Sequence, residues 1–389
     1  MKHASMVCSS FLVATAAIVS IIYLLVHVGE VRLQQLFHLS EDSQWRSDIK
    51  PGIGFDLTST YGVAAVSYPN GTNVAIAKID GSTKYRETIH RLSLETSKHI
   101  APPYDNLGDR WDDLPRQELR KWKKRLGLPA STDVGTLAEM VASLRDAVVQ
   151  FTGSGIDSAV TTLPHLVAVY NEDITDAFEH VGLSSPVVWF YDHLVYETIS
   201  AYAGHGLGIF KNFTNAEYTY DHMHDFDSEE LLVILYTPDV LTVAVSSVKG
   251  AYFLWEPSVR FRLDFDLGSD KLAHFLTPEE IEEYWSLVGE AIQEIYLARR
   301  YDPPHRVFLL GDSAGIPNFN DTVKGVISQL TNADVPFYDT DPVFAAAKGA
   351  AEFAKRAPYT DLWWEIGWNK SHNLSTPSTS PGLRSQLME

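Results

Sequence analysis

Asp56 closes a short apolar run and is followed by Leu57 and three hydroxyl residues, Thr58, Ser59 and Thr60, within the stretch Gly52 to Gly62. An acid at a strand end can hold water around a divalent cation, while backbone N–H groups of a tight turn face phosphate oxygens. The competing interpretation is an ordinary hairpin with a structural aspartate. A second stretch with chemical content is Gly311-Asp312-Ser313-Ala314-Gly315, where glycines flank Ser313 at two-residue spacing between an apolar strand and a helix. That is the setting of a hydrolase nucleophile, which then needs an acid and a histidine downstream; Asp339, Asp341 and His372 are the residues available. The acidic segment Tyr220 to Glu230 carries His222, His224, Asp225 and Asp227. Spacing inside one loop is permissive for almost any sequence, and no remote ligand pair points to it, so an exposed loop is expected there rather than a metal site.

The elements around these stretches are legible from periodicity. Ile53, Phe55 and Leu57 alternate, Val63 to Val66 follow, and Asn70-Gly71 marks a tight turn into a third strand, Val74 to Ile79. A helix is expected over Leu114 to Leu126, containing the basic run Arg120 to Arg125 as a solvated face. Leu137, Val141, Leu144 and Val148 line one face of the next helix, which Gly153 and Gly155 stop. Strands are expected at Ala159 to Leu163 and Val187 to Phe190, with a helix from Asn171 to His180 between them. Leu231 to Leu235 and Leu241 to Val245 form a second hairpin around Thr237-Pro238-Asp239. Thr277-Pro278-Glu279-Glu280 is a capping-box helix start, continued by Ile281, Tyr284, Val288, Ile292 and Ile295. Arg306 to Leu310 is a buried strand leading into the Ser313 loop, and Asp341 to Lys355 is an Ala-rich helix. Helices alternating with strands and hairpins give an α/β chain with mixed sheets.

The chain has 389 residues, a formal net charge of -19 and 45% hydrophobic residues, a globular composition that argues against nucleic acid as a partner. Phe11 to Val28 is an eighteen-residue apolar run at the lower edge of bilayer-spanning length. A cleaved signal peptide competes, but no small-x-small cleavage site follows, so an uncleaved single transmembrane signal-anchor is expected. Residues 1–10 then form a cytosolic tail, 29–50 a polar linker, and the body lies on the lumenal or extracellular side of the secretory pathway. Sequons at Asn70, Asn212, Asn320 and Asn373 fit that side as glycosylation acceptors. The only cysteine, Cys8, precedes the anchor, so the body has no disulfide. Residues 373–389, rich in Ser, Thr and Pro, are expected to be disordered.

Four segments, in order, resemble the nucleotide-binding domain of the Hsp70 chaperone family within the actin-like ATPase (ribonuclease H-like) superfamily. GIGFDLTSTYGVAAVSYPNG resembles its first phosphate loop, and the helix from Leu137 with AVTTLPHL resembles the following helix and strand. VILYTPDVLTVAVSSV resembles the second phosphate segment. VFLLGDSAGIPNFN with DPVFAAAKGAAEFA resembles the adenosine loop and the helix returning to the first lobe. The resemblance implies a two-lobed fold, with lobe I at 51–210, a reduced lobe II at 231–340 and a returning helix at 341–357. Only about 75 residues separate the second phosphate segment from the adenosine loop, so lobe II is shortened.

By the same resemblance Asp56 faces a magnesium ion, Thr58, Ser59, Thr60 and Thr242 line the phosphates of ATP, and Gly311, Asp312 and Ser313 form the adenosine loop. The family's second aspartate falls on Tyr236 or Thr237, its glycines are replaced by Pro238 and neighbours, and Gly315 stands in place of an adenine-packing arginine. A catalytic lysine is sought among Lys78, Lys84 and Lys98. These departures predict a membrane-anchored nucleotide-binding protein with weak or no hydrolysis. The alternatives are a pseudo-ATPase scaffold or protein-interaction module and, more distantly, a serine hydrolase using Ser313. No peptide-binding domain follows, so ordinary chaperone activity is not expected.

Overall fold

A computed structural model describes residues 49–186, 194–222, 225–251, 259–297 and 303–371. The expected anchor, most of the linker, the strand expected at Val187 to Phe190, and the sequence from His372 onward lie outside these. Among the described residues no helix is long and apolar enough to cross a membrane. Lys50–Trp364 forms one compact unit.

Two five-stranded mixed sheets organise this unit, and they share one topology. In the first, β1 (Gly52–Leu57), β2 (Tyr61–Ser67) and β3 (Asn73–Asp80) form an antiparallel meander, and β4 (Val160–Leu163) and β5 (Val195–Tyr196) add in parallel beyond β1. In the second, β6 (Glu229–Tyr236), β7 (Leu241–Val248) and β8 (Val259–Asp264) form the meander, while β9 (Arg306–Leu310) and β10 (Phe337–Tyr338) add in parallel beyond β6. Their orders are β3-β2-β1-β4-β5 and β10-β9-β6-β7-β8, so each sheet, counted from its own first strand, runs 3-2-1-4-5.

The helices are α1 (Thr83–Leu92), α2 (Leu107–Arg125), α3 (Thr132–Thr152), α4 (Asn171–His180), α5 (Glu197–Gly204), α6 (Ala216–His222), α7 (Pro278–Leu297), α8 (Pro317–Leu330) and α9 (Ala345–Ser371). Leu137, Val141, Leu144 and Val148 of α3 pack with Phe178 of α4 on Phe55 and Leu57. Ile234 and Tyr236 of β6 pack with Val288 and Ile292 of α7 and Phe319 and Val323 of α8. The alternate residues of β6, Leu231, Val233 and Leu235, join Val160, Val195, Ile199, Ala345 and Ala350 in a third core. β6 is thus buried on both faces, which explains its unbroken apolar run.

Local signals hold where they are strong. Gly153 ends α3 with φ 69°, and Thr277 and Glu280 exchange the capping-box bonds, Glu280 N to Thr277 Oγ1 at 3.2 Å and Thr277 N to Glu280 Oε2 at 2.9 Å. α2 starts seven residues before the expected Leu114, because Asn106 caps it by accepting from Asp109 N at 3.0 Å. The expected acidic loop instead ends α6 and begins β6. The Ala-rich helix starts at Ala345 rather than Asp341, after a turn in which Asp341 takes φ 54°.

The basic run in α2 is not a solvated face throughout. Arg120 is buried and ion-paired to Asp173 (2.8 Å) and Asp176 (2.7 Å) of α4, Lys124 reaches Asp176 (2.5 Å), and Arg116 reaches Asp113 and Glu172 (each 2.5 Å). Burial opposes ionisation of Asp113, but hydrogen bonds from Arg116, Gln117 and Tyr104 outweigh it and hold its carboxyl at about 2.

α9 lies directly on β1. A Cβ on Gly54 would sit 2.1 Å from Ala347 O and 2.2 Å from Ala351 N, backbone atoms that cannot rotate away. Gly54→Ala is expected to destabilise the protein by about 2–4 kcal/mol through overpacking, checked by chemical denaturation; an unchanged midpoint would disprove the close approach.

Candidate functional site

The ends of β1, β4 and β5 converge beside the β1–β2 turn. Asp56 is the penultimate residue of β1 and pairs in register with Thr162 of β4, whose own parallel neighbour is Val195. Two residues beyond Val195, Glu197 opens α5. Both acids are buried, 3% and 4% exposed, and their carboxyls hydrogen-bond to each other. Burial pushes Asp56 well above the carboxylate range, with the bond to Glu197 opposing; burial and the neighbouring Asp56 charge push Glu197 up as well. Burial thus disfavours the charged form of both carboxyls.

The β1–β2 turn is locked by Thr58. Its Oγ1 donates to Tyr61 O at 2.8 Å and accepts from Thr60 N (3.2 Å) and Tyr61 N (3.0 Å), while Tyr85 OH of α1 donates to Thr58 O at 2.7 Å. Thr58 thereby serves the turn. Ser59 and Thr60 are also buried, but Ser59 Oγ and Thr60 Oγ1 make no hydrogen bond among the described residues, and neither does Thr162 Oγ1. Asp56 Oδ1 and Glu197 Oε1 accept from no donor among the described residues. Buried polar atoms are nearly always satisfied, and five that are not gather at this end of the first sheet.

The second hairpin repeats the turn but not the chemistry. Thr237 Oγ1 accepts from Val240 N at 3.3 Å and donates to Val240 O at 3.2 Å, the same lock as Thr58. By register Leu235, opposite Thr242 on β7 and Leu310 on β9, occupies the place that Asp56 holds in the first sheet. Neither Tyr236 nor Thr237 offers a carboxylate there, and Tyr236 points into the core, its hydroxyl 2.8 Å from Tyr284 OH. The turn carbonyls are capped by Ser313 N onto Tyr236 O (3.1 Å), Ser269 N onto Thr237 O (3.0 Å) and Asp270 N onto Pro238 O (3.1 Å). These amides brace the turn.

Gly311 follows β9 with φ 95°, where a Cβ would meet Tyr236 O at 2.2 Å; only glycine fits. Asp312 binds Lys78 of β3 at 2.8 Å, and Asp239 in the second turn binds Arg86 of α1 at 3.3 Å. Of the three candidate lysines, Lys84 pairs with Glu139 and Lys98 with Glu95, whereas Lys78 lies 4.5 Å over the Tyr61 ring beside the Asp312 loop. Burial disfavours the Lys78 ammonium, but the Asp312 and Asp80 carboxylates outweigh it and raise its pKa. Ser313 Oγ lies 2.7 Å from Ser269 Oγ, its side-chain partner among the described residues, and His372 lies outside them.

The structure thus brings Asp56, Ser59 and Thr60 together with Thr162 and Glu197, and groups Gly311, Asp312 and Ser313 around the second turn. Sequence reasoning missed Glu197 because its strand is two residues long. An acid immediately before the segment Thr198 to Gly204, which reads TISAYAG, was the available signal. Among the described residues no group of three or more His, Cys, Asp or Glu side chains gathers as a metal site; His224 of the acidic segment lies outside them. The chain matches no protein-family model and no curated protein.

Both acids ionise near pH 4 in an unfolded chain and at higher pH when folded. The stability this permits is complete below about pH 4 and is lost as pH rises through the folded values. Glu197→Gln keeps the shape while removing one buried charge. It is expected to raise Tm at pH 7.5 by about 1.5 °C for each kcal/mol gained, with the gain fading toward pH 4. Equal melting at both pH values would show that the pair carries no buried-charge cost.

Proposed function

We propose that the protein is a divergent member of the actin-like (ribonuclease H-like) ATPase group, which binds a nucleotide such as ATP with magnesium and hydrolyses it weakly or not at all. The observation that carries this reading is the set of buried, unpartnered polar atoms around Asp56 and Glu197. The repeated 3-2-1-4-5 sheets support it, since a duplicated mixed sheet is the skeleton of two such lobes. So does the pair of threonine-locked turns.

The donor set suits magnesium. Two oxygen ligands without a larger cage are what a cation needs when waters and phosphates complete its shell. Asp56 and Glu197 would hold it, and bound magnesium would supply charge neutralisation at the phosphates. Thr60 and Ser59 are the nearest free hydroxyls for phosphate oxygens. Leu235 and Pro238 remove an acid and a backbone donor from the opposite wall, and Lys78 is engaged by Asp312. Stabilising the charge of phosphoryl transfer requires such groups, so their loss argues for binding with little turnover.

A scaffold without nucleotide is the second reading. The Lys78–Asp312 and Arg86–Asp239 pairs favour it, because they already join the two sheet units. Calorimetry on the full chain in detergent distinguishes the two. Millimolar Mg-ATP is expected to give heat, and Asp56→Asn to weaken the magnesium dependence at least tenfold. Absence of heat and of any thermal shift at millimolar nucleotide supports the scaffold. Among the described residues Ser313 is bonded to Ser269, and His372, which the hydrolase alternative needs, lies outside them.

The same proposal includes the membrane anchor at 11–28 and a body on the lumenal or extracellular side. Asn70 and Asn212 are exposed, whereas Asn320 is half-buried and its Nδ2 donates to Ala314 O at 3.0 Å. Asn70→Gln and Asn212→Gln are each expected to remove one glycosidase-sensitive step in gel mobility, and Asn320→Gln none. A body that carries no glycan at either exposed sequon would count against the lumenal placement.

A further inference from the structure

α2 is amphipathic in the inverse sense. Among its nineteen residues only Asp113 and Arg120 are buried, and both are charged. Its charged side is held on α4 by Arg116, Arg120 and Lys124, leaving the opposite side outward. That outward side carries Leu107, Trp111, Leu114 and Trp122 at steps of four, three and eight, with Leu126 just beyond the helix. Trp111 is 69% exposed, Trp122 58% and Leu126 70%. Of the thirteen large exposed hydrophobic side chains among the described residues, nine lie between Leu94 and Leu128, so exposure is concentrated here rather than scattered. Such a patch is costly in water and marks a contact surface.

We infer that this face is a bilayer-docking surface, which lies flat in the headgroup region of the leaflet on the side of the body. The side chains are those that favour the membrane interface, tryptophans and leucines with cations at the margin. Arg110, Lys121 and Arg125 are exposed on this side, Lys121 paired with the exposed Glu118 at 2.8 Å, and Arg125 sits 5.3 Å over the Trp122 ring. The sequence also keeps this face close to a bilayer. The eighteen-residue apolar run ends at Val28, and residues 29–48, at about 3.5 Å each, reach at most about 70 Å. The helix of nineteen residues is about 28 Å long, so its Trp111-to-Trp122 span lies along the surface and does not cross it. The inference shares the anchor with the proposed function and is independent of the nucleotide.

The single cysteine makes the test direct. In a Cys8→Ser background, the full chain is reconstituted into phosphatidylcholine vesicles, with a nitroxide on Leu114→Cys or, as control, on the exposed Lys324→Cys of α8. Spin-label accessibility is expected to favour oxygen over a water-soluble nickel chelate several-fold at 114, with the reverse at 324. Adding Trp111→Glu and Trp122→Glu is expected to return position 114 to water without changing the circular dichroism. Aqueous accessibility at 114 overturns the inference, and so does dipolar broadening at 114, which assigns the face to a second copy. Alkaline carbonate extraction separates the anchor. Protein that resists extraction while 114 stays aqueous refutes the docking alone. Protein that is stripped, yet shows 114 immersed at neutral pH, refutes the anchor and keeps the docking.

Discussion

Backbone-to-backbone contact between α9 and its neighbours is the constraint on which the rest of the unit depends. Gly52 and Gly54 let β1 approach Ala347, Ala351 and Lys355, while Gly349 meets Ser200 O and Gly204 meets Ala345 O, so that no side chain intervenes at any of these crossings. One helix is thereby pressed against the first strand of the first sheet and against α5. It also contributes Ala345, Ala350 and Phe353 to the core shared with β6 and β9. Because α5 begins at Glu197, the depth of this packing determines where Glu197 meets Asp56. The chemistry of the site is set by small residues some distance from it.

The two sheets repeat one skeleton and have divergent contents. Around the first turn, burial withholds solvent from Asp56 and Glu197, which have each other, and leaves one oxygen of each and the hydroxyls of Ser59 and Thr60 unpaired among the described residues, a cost that a bound polar ligand would offset. Around the second, Tyr236, Leu235 and Pro238 have been absorbed into packing, and the amides of Ser269, Asp270 and Ser313 hold the turn. Ion pairs at Lys78 and Arg86 connect the two regions at the surface, where partial exposure leaves each worth little in stability. Their effect lies in which groups remain available for a ligand.

α2 shows how tertiary context reverses a local pattern. Its basic run looks like a solvated face, yet Arg120 finds two carboxylates on α4 and is buried with them, because an isolated buried charge would be far more costly than a paired one. With the charges turned inward, the apolar residues turn outward by helical geometry alone.

By itself the sequence determined what depends on neighbours within a few residues. The alternation of β1, the Asn70-Gly71 turn, the helical face from Leu137, the helix Asn171–His180, the Thr277 cap and the apolar run of β6 all follow from side-chain period and backbone chemistry. The placement of Asp56 at a turn, with Ser59 and Thr60 beside it, was legible for the same reason. Tertiary structure alone decided the partner of Asp56, the pairing of Lys78 with Asp312, the equivalence of Leu235 to Asp56, and the outward face of α2. Each of those is a contact between residues tens to hundreds of positions apart. No local periodicity encodes such a contact, because it exists only after the sheets have closed and the glycines have let α9 in.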